Sequence, residues 1–258
     1  MITDADIRHW RGQVPWTDDD NVEQDLVLSR LIVEIANHPL LAGELVFRGG
    51  TCFHKIWLDH PWRYSEDLDY VRRTAGGVGE ILDAIREVAD YVGFDRVQTE
   101  VRRHPKARLD STFASGNRMR IKIEMNTFER SPARPTVTRE YAVDSPWFSG
   151  SADVPTFTLE ELIATKIRAL YQRRKGRDLF DLWLALSEAH ASPEEIASCF
   201  QPYRPEGWTP ELALVNLGNK LDDSRFRNDL AALVPRWPEH YSIEAAAEIA
   251  TALIEVAA

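Results

Sequence analysis

Residues 45–72 constrain the fold more than any other part of the chain. A short apolar run leads into Gly49 and Gly50, an amphipathic segment follows, and the stretch ends in S-E-D-L-D-Y-V-R. If that end is a β-strand, Asp67 and Asp69 share one face, because successive side chains of a strand point to opposite faces. Neighbouring carboxylates repel each other, and Asp is depleted from strands, so the pattern indicates a bound cation. We expect a divalent metal, Mg²⁺ or Mn²⁺, since these ions prefer carboxylate and phosphate oxygens.

Gly49 and Gly50 predict a phosphate-binding turn. Because glycine has no side chain, their backbone N–H groups are open to phosphate oxygens. A helix over residues 51–58 would direct the positive end of its dipole to the same place. The alternative for the glycines is a tight turn before a helix, and for the two aspartates it is a solvated strand face. The order and closeness of the two motifs favour a joint phosphate and metal site.

The composition is that of a globular protein, with 258 residues, 44% of them hydrophobic and 28% charged. This length allows one large domain or two smaller ones. No apolar run reaches the length that spans a membrane, and the N-terminus lacks the pattern of a signal peptide. Cys52 and Cys199 have no metal-ligand spacing, which argues for a reducing compartment and against a disulfide scaffold or a zinc site. We therefore expect a cytoplasmic protein.

The net charge of −10 argues against a protein that coats nucleic acid indiscriminately. Local basic clusters occur at residues 102–108, at Arg118, Arg120 and Lys122, and at residues 173–177. Each cluster is a candidate phosphate-binding surface, and the alternative for each is a solvated charged face.

Residues 118–126, R-M-R-I-K-I-E-M-N, show the clearest alternation in the sequence. The apolar residues face a core, whereas Arg120, Lys122 and Glu124 share the other face of a predicted sheet strand. If this strand pairs with the strand of the two aspartates, Glu124 becomes the third carboxylate of a metal site. The alternative is that Glu124 only neutralises Arg120 and Lys122.

The remaining pattern predicts strands followed by helices. Further strands are expected over residues 45–48, 97–103 and 136–143, and helices over 21–38 and 78–92. A connection rich in Pro, Ser and Gly runs through residue 155 and predicts a domain boundary there. Beyond it we expect helices from residue 158 and over 177–186, 193–200, 211–221, 224–233 and 242–256.

Lys166 is a cation on the apolar side of the first of these helices. The helix begins with a capping box, T-L-E-E, and Lys166 is four residues from both Leu162 and Leu170. Arg173 lies two turns further along the same side. Such a cation is unusual unless it reaches a pocket or an anion, and the alternative is a side chain that extends to solvent.

Asp178 and Asp181 share a face of the next helix, since they are three residues apart. They are candidate acidic groups of a site. The alternative is that they form ion pairs with Arg174 or Arg177.

Five motifs stand in this order: G-G-T, S-E-D-L-D, I-K-I-E-M-N, E-L-I-A-T-K-I-R-A-L and R-D-L-F-D-L. With them, the sequence resembles the AbiEii toxin family. These nucleotidyltransferase-like toxins include the mycobacterial MenT enzymes and belong to the DNA polymerase β-like nucleotidyltransferase superfamily. The resemblance covers roughly residues 25–190. The segment between the diglycine and the first aspartate is slightly longer than is usual for the superfamily.

The resemblance implies an α+β fold, in which a mixed nucleotidyltransferase sheet is flanked by helices and followed by a helical C-terminal region. Residues 1–155 would form the nucleotidyltransferase core with the sheet and the metal site. Residues 156–258 would form the helical region that completes the active site.

The resemblance also implies roles for individual residues. Asp67 and Asp69 would hold Mg²⁺ or Mn²⁺, with Glu124 completing the acidic set. Asp178 or Asp181 would supply the acidic residue of the last motif. The residues implied to bind the nucleotide are Gly49, Gly50, Thr51, Ser65, Lys166 and Arg173. Those implied to be catalytic are Asp67, Asp69, Lys166, Asp178 and Asp181.

The function implied is that of a metal-dependent toxin in a toxin–antitoxin, phage-defence-like system. It would transfer a nucleoside monophosphate from an NTP to an acceptor, first of all the 3′ end of tRNA, and an antitoxin would be its partner. The alternatives are transfer to a hydroxyl group of a protein or a small molecule, and a nucleotide-binding module without catalysis.

Overall fold

The computed structural model of the protein describes residues 2–258, which divide into two compact units. The first unit runs up to Arg130 and continues with Thr136–Thr156. The second consists of Ser131–Pro135 and Phe157–Ala258. Among the described residues, no helix is both long enough and apolar enough to cross a membrane.

The first unit contains a seven-stranded mixed sheet with the strand order β3-β4-β5-β2-β1-β7-β6. Its strands are β1 (Leu45–Arg48), β2 (Asp67–Arg72), β3 (Arg96–Glu100), β4 (Lys106–Thr112), β5 (Arg118–Asn126), β6 (Val137–Asp144) and β7 (Ser149–Thr156). β2 runs parallel to β5 and β1 runs parallel to β7, while the other neighbours are antiparallel. The pairing on which the place of Glu124 beside the two aspartates depended is therefore present.

The helices of the first unit are α1 (Asp4–Arg11), α2 (Asp19–Asn37), α3 (Pro39–Glu44), α4 (Gly49–Cys52) and α5 (Gly79–Val92). A π-helical turn, Phe53–Trp57, continues α4. The side chain of Asp18 accepts a hydrogen bond at the start of α2, and Gly93 ends α5 with φ +103°. Asp18 is thus the N-cap of α2 and Gly93 the left-handed C-cap of α5.

One face of the sheet forms the core of this unit. The apolar residues of β5 are at most 2% exposed, as the alternation predicts. The long helix α2 packs against β7 and α5, and its apolar residues are buried. The opposite face of β2 and β5 carries the charged residues, so the pleat itself separates the core from the candidate site.

Several elements differ from the predictions. The helices α1 and α3 were not predicted, because α1 lies in a polar stretch and α3 has only six residues and begins at Pro39. β4 was not predicted either, since its buried Ala107 and Leu109 alternate with charged residues that indicate a basic cluster. The predicted connection before residue 155 is wrong in part, because β7 lies there and pairs with β6 along its whole length.

The second unit is helical, as predicted. Its helices are α6 (Leu159–Gln172), α7 (Gly176–Ser187), α8 (Pro193–Phe200), α9 (Pro210–Leu221), α10 (Ser224–Arg227) and α11 (Ile243–Val256). α6 packs against α7 and α8, and α11 packs against α7. The helix predicted over residues 224–233 is shorter than expected and ends at Arg227.

Glu161 joins three parts of the second unit. Thr158 caps α6 as predicted, but the carboxylate of Glu161 does not complete the capping box. It accepts hydrogen bonds from the backbone N–H groups of Ala133 (2.6 Å) and Arg134 (3.0 Å) and from the hydroxyl of Tyr203 (2.6 Å). Glu161 is fully buried, so these bonds offset the loss of its hydration.

Candidate active site

Strand register brings three charged residues together on the exposed face of the sheet. Asp69 is the partner of Glu124 in the parallel pair of β2 and β5. It is also the partner of Arg48 in the antiparallel pair of β1 and β2. Because paired residues of neighbouring strands share a face, Asp69 lies between Arg48 and Glu124.

Lysines neutralise the other two carboxylates of this face. Lys122 Nζ is 2.8 Å from Asp67 Oδ2 and 3.5 Å from Glu124 Oε2. Lys106 Nζ is 3.1 Å from the same oxygen of Glu124. The alternative interpretation of Glu124 therefore holds for Lys122, whereas Arg120 pairs with Asp110 instead.

Asp69 differs from its neighbours, because no Lys or Arg of the described residues lies within ion-pair distance of it. Burial and the negative charge of Asp67 raise the pKa of Asp69, against the opposing charges of Arg48 and Lys122. Burial also disfavours ionisation of Glu124, but the hydrogen bond from Lys106 and the charge of Lys122 outweigh it and lower its pKa. Asp69 is thus the carboxylate with the greatest need of a cation.

The diglycine has a specific steric reason. Gly49 adopts φ +84°, and a Cβ atom on it would lie 2.5 Å from Asp69 Oδ2. A Cβ atom on Gly50 would clash with the guanidinium of Arg63. Gly49 is therefore required by its own backbone conformation and by Asp69, whether or not phosphate approaches the same turn, whereas a side chain at Gly50 would require the Arg63 guanidinium to move.

Arg63 is a residue that the sequence analysis missed. It is only 3% exposed, and its Nη1 donates to the carbonyl oxygen of Tyr64 at 3.2 Å. Its position two residues before Ser65, the start of the S-E-D-L-D motif, was the available signal. A single arginine is too common in protein sequences to indicate a functional site before the fold is known.

Thr51 and Ser65 connect the two motifs. Their hydroxyl oxygens are 2.8 Å apart, and Thr51 Oγ1 donates to the carbonyl oxygen of Asp67 at 2.5 Å. These bonds connect α4, which begins at the diglycine, to the beginning of β2. Their predicted contact with a nucleotide stays a prediction.

Lys55 anchors the same helical run from its other side. Its Nζ donates to Asp25 Oδ1 and to Ser29 Oγ, both at 2.9 Å. Asp25, on α2, also accepts hydrogen bonds from the indole N–H groups of Trp10 and Trp16. This buried network fixes the segment after the diglycine on the core of the first unit.

The second unit contains a cluster of the buried Lys166, Asp178 and Asp181 and the half-exposed Arg173. Lys166 Nζ is 2.6 Å from Asp181 Oδ2 and 3.7 Å from Asp178 Oδ1. Arg173 binds Asp178 with two hydrogen bonds of 2.6 and 2.7 Å. The side chain of Lys166 is only 5% exposed, which rules out the solvent-reaching alternative.

Both aspartates of this cluster are fully buried, so each depends on its cation. The predicted alternative partners are wrong, because Arg174 pairs with Asp223, and Arg177 uses its backbone N–H on Asp229. Both Asp178 and Asp181 contact Lys166, and Asp178 also accepts two hydrogen bonds from Arg173.

The profile of the family described as "Nucleotidyl transferase AbiEii toxin, Type IV TA system" matches residues 30–248. The chain belongs to this AbiEii family of nucleotidyltransferase toxins. The match spans most of both units and confirms the resemblance seen in the sequence motifs. Membership in a type IV toxin–antitoxin family implies an antitoxin partner. No curated protein sequence matches the chain.

Solved structures agree with this assignment at the level of the fold. MenT4, a nucleotidyltransferase toxin from Mycobacterium tuberculosis H37Rv, superposes with a TM-score of 0.64 at 18% identity, over 100% of this chain and 90% of that one. JHP933 from Helicobacter pylori superposes with a TM-score of 0.57 at 14% identity, over 93% of each chain. A putative nucleotidyltransferase from H. pylori gives 0.55 at 14% identity, over 93% and 96%. The predicted nucleotidyltransferase fold is therefore confirmed.

The basic clusters of this AbiEii-family protein are largely matched by carboxylates. Besides the contacts of Lys106, Lys122 and Arg173 given above, these basic sequence clusters form the following ion pairs: Arg102 and Arg108 with Glu100, Arg118 and Arg120 with Asp110, Arg174 with Asp223, and Lys175 with Asp229. These pairs favour the solvated-face alternative for much of the basic sequence. They leave less unmatched positive charge for a nucleic acid than the sequence indicates.

No group of three or more His, Cys, Asp or Glu side chains is arranged to hold a metal within residues 2–258. In the structure, Asp67 and Glu124 bind the ammonium groups of Lys122 and Lys106. The chemistry of the donor set nevertheless fits a hard divalent cation, because Asp69 is a partly buried carboxylate without an ion pair. A cation bound there would compete with Lys122 for Asp67.

Proposed function

We propose that the protein is a metal-dependent nucleotidyltransferase that transfers a nucleoside monophosphate from an NTP to the 3′ end of tRNA. The observation that carries the proposal is Asp69, a carboxylate without an ion pair that lies against the backbone of Gly49 and between Arg48 and Glu124. Such a carboxylate is stabilised by a metal and a phosphate group, the two things that nucleotidyl transfer brings to a site.

Asp67 and Asp69 would hold Mg²⁺ or Mn²⁺, with Glu124 as the third carboxylate. When bound, the ion would neutralise charge on the phosphate oxygens of the attacked and leaving groups. Asp67 and Glu124 share Lys122, so this lysine would move from carboxylate to phosphate as the substrate arrives.

The residues of the chain have distinct tasks in this proposal. The backbone N–H groups of Gly49 and Gly50 would donate to the triphosphate, and the hydroxyls of Thr51 and Ser65 would hold this turn against β2. Asp69 would also accept the proton of the acceptor hydroxyl, a role that its raised pKa supports. An Asp69→Asn variant with full activity would remove that role.

Lys166 would bind the triphosphate, assisted by Arg173. In the second unit, Asp181 holds the ammonium group of Lys166, and Asp178 contacts both cations. We assign Asp178 and Asp181 the task of keeping these cations charged and oriented, because buried carboxylates favour the charged forms of their partners.

We further propose that the acceptor is tRNA, that the protein acts in the cytoplasm where tRNA and NTPs occur, and that a cognate antitoxin restrains it in a phage-defence-like setting. The family and the fold support nucleotidyl transfer. The paired basic clusters and the net charge of −10 are less favourable to RNA, so the identity of the acceptor is the part most in need of a test.

The experiment incubates purified protein with Mg²⁺, total tRNA and each of four α-labelled NTPs in turn, beside an Asp69→Ala variant. We expect label on tRNA with the wild type alone, and the successful NTP identifies the donor. Label on protein or on a small molecule would move the acceptor to a different hydroxyl group. Nucleotide binding that depends on Mg²⁺, without release of pyrophosphate, would instead indicate a binding module.

A further inference from the structure

Arg48 has a position that the sequence motifs do not reveal. It is the last residue of β1 and directly precedes Gly49. Its partner across the antiparallel ladder is Asp69, so its side chain emerges on the same face of the sheet as the candidate metal ligands. The guanidinium charge is close enough to oppose the rise in the pKa of Asp69.

The guanidinium of Arg48 uses only part of its hydrogen-bonding capacity. Nη1 donates to Glu129 Oε2 at 2.6 Å. Arginine has five N–H donors, and the described residues provide no hydrogen-bond acceptor for Nε or Nη2 of Arg48. Its side chain is 13% exposed. Neither Nε nor Nη2 is among the buried polar atoms that lack a hydrogen-bond partner, so both are open to solvent. The guanidinium is held in place by Glu129 and presents two solvent-open donors on the face of Asp69, where a ligand with acceptor oxygens can bind them.

Arg72, near the other end of the same ladder, shows that this arrangement is not a general property of buried arginines in the sheet. Its Nε donates to Glu44, and its Nη1 donates to the carbonyl oxygens of Gly76 and Gly77 at 2.7 and 2.9 Å. Protein acceptors therefore satisfy both ends of the Arg72 guanidinium. Arg48 differs, because only its Nη1 donates a hydrogen bond, to the carboxylate of Glu129.

We propose that Arg48 is a phosphate-binding residue of the active site, which grips non-bridging oxygens of the substrate triphosphate through Nε and Nη2. Glu129 is its positioning residue, because it fixes the plane of the guanidinium through Nη1. A planar fork of donors matches two phosphate oxygens, whereas a lysine would provide only a point charge. The proposal rests on the proposed function and adds a residue to the same site.

The first measurement is calorimetric binding of inorganic triphosphate, a probe that needs neither base recognition nor an acceptor. Arg48→Gln should weaken binding about 10- to 100-fold, the range expected for losing hydrogen bonds from a charged group. Arg48→Lys should recover only part of the loss. Arg120→Gln is the matched control, since it removes an arginine of the same face that is paired with Asp110, and it should bind like the wild type.

The second measurement is steady-state transfer. If Arg48 grips phosphate, Arg48→Gln and Glu129→Gln should raise the KM for the NTP, the first more than the second, at an unchanged melting temperature. A structural role would lower the melting temperature and leave triphosphate binding by the remaining folded protein intact, which would overturn the inference. Should Arg48→Gln fail to fold, Arg48→Lys and Glu129→Gln decide the question, because both preserve the volume of the site.

The outcomes separate this inference from the proposed function. If the wild type transfers label and Arg48→Gln binds triphosphate normally, Arg48 has no such role and the proposed function stands. If triphosphate binding depends on Arg48 but no nucleotide is transferred, the phosphate site stands and the proposed function fails.

Discussion

The two charged clusters, one in each unit, differ in how completely their charges are matched. In the first unit, Asp69 has no ion pair and Arg48 keeps unused donors, on a sheet face that is partly open. In the second, Asp178 and Asp181 are fully buried and bound directly to Lys166 or Arg173. A charged group without an ion pair can be stabilised by a bound ligand of opposite charge. A buried ion pair is compatible with the folded state only while both of its partners are present.

This difference separates function from stability at the level of single residues. A change in the first cluster should affect activity and leave the fold intact, whereas a change in the second should affect the fold before it affects activity. The following variants test that division.

Asp69→Asn should have the largest effect on activity, a loss of about 10²–10³ in kcat, the range for removing one electrostatic group that acts in the transition state. Its stability at pH 7 should not fall, because burial and Asp67 raise the pKa of Asp69 and so the ionised form is disfavoured in the folded protein. Transfer kinetics and urea denaturation measure the two quantities. A variant that unfolds more easily than the wild type would contradict the comparison.

Asp181→Ala should have the largest effect on stability, a loss of about 3–5 kcal/mol, because it leaves Lys166 buried without its closest partner. The matched variant is the double substitution Asp181→Leu with Lys166→Met, which removes both charges together. It should recover most of the free energy of unfolding while remaining inactive. If the double variant is no more stable than Asp181→Ala, the ion pair is not the cause.

Gly49→Ala should reduce both properties by a smaller amount. A residue with a side chain at φ +84° costs about 1–2 kcal/mol, and the added Cβ atom would displace Asp69 Oδ2. Gly79→Ala is the control, because a Cβ atom there meets nothing within 4 Å and its φ is negative. Equal losses in thermal unfolding for the two variants would remove the steric explanation of the diglycine.

Glu23→Gln should have the smallest effect, and its sign depends on pH. Burial raises the pKa of Glu23 above its ordinary 4.5, despite the hydrogen bond from the Ala114 N–H. The folded state therefore binds more protons than the unfolded state just above pH 4.5, and wild-type stability falls as the pH rises through that window. At pH 7 the variant should be the more stable protein, and the difference should disappear below about pH 4. Denaturation curves at several pH values test this.

The sequence predicted those parts of the fold in which one residue pattern has one physical outcome. β5 alternates strictly, so its faces and its bounds were predicted together. Gly93 and Asp18 have capping chemistry that ends or begins a helix at one residue. β4 and β7 could not be predicted in the same way. The charged residues of β4 and the Pro and Gly residues of β7 are not typical of strands, and both strands are stabilised by pairing with a neighbouring strand.

The candidate site was predictable as residue types but not as partners. Asp67, Asp69 and Glu124 follow from spacing and alternation. The lysines that bridge them, and the partnership of Arg48 with Asp69, depend on which strands pair and in what register, and a single sequence does not contain that information. The same reason explains why the alternative partners considered for Asp178 and Asp181, Arg174 and Arg177, are not the ones that the fold provides.

The path of the chain between the two units has a practical consequence for dissecting this protein. Residues 131–135 belong to the second unit, where the backbone N–H groups of Ala133 and Arg134 donate to the carboxylate of Glu161. The chain then continues into β6 and β7 of the first unit. A gene cut once at residue 156 would therefore encode a C-terminal fragment in which Glu161 retains only the Tyr203 hydroxyl. To express the helical unit as a self-sufficient fragment, a short peptide equivalent to residues 131–135 has to be supplied or grafted back onto it.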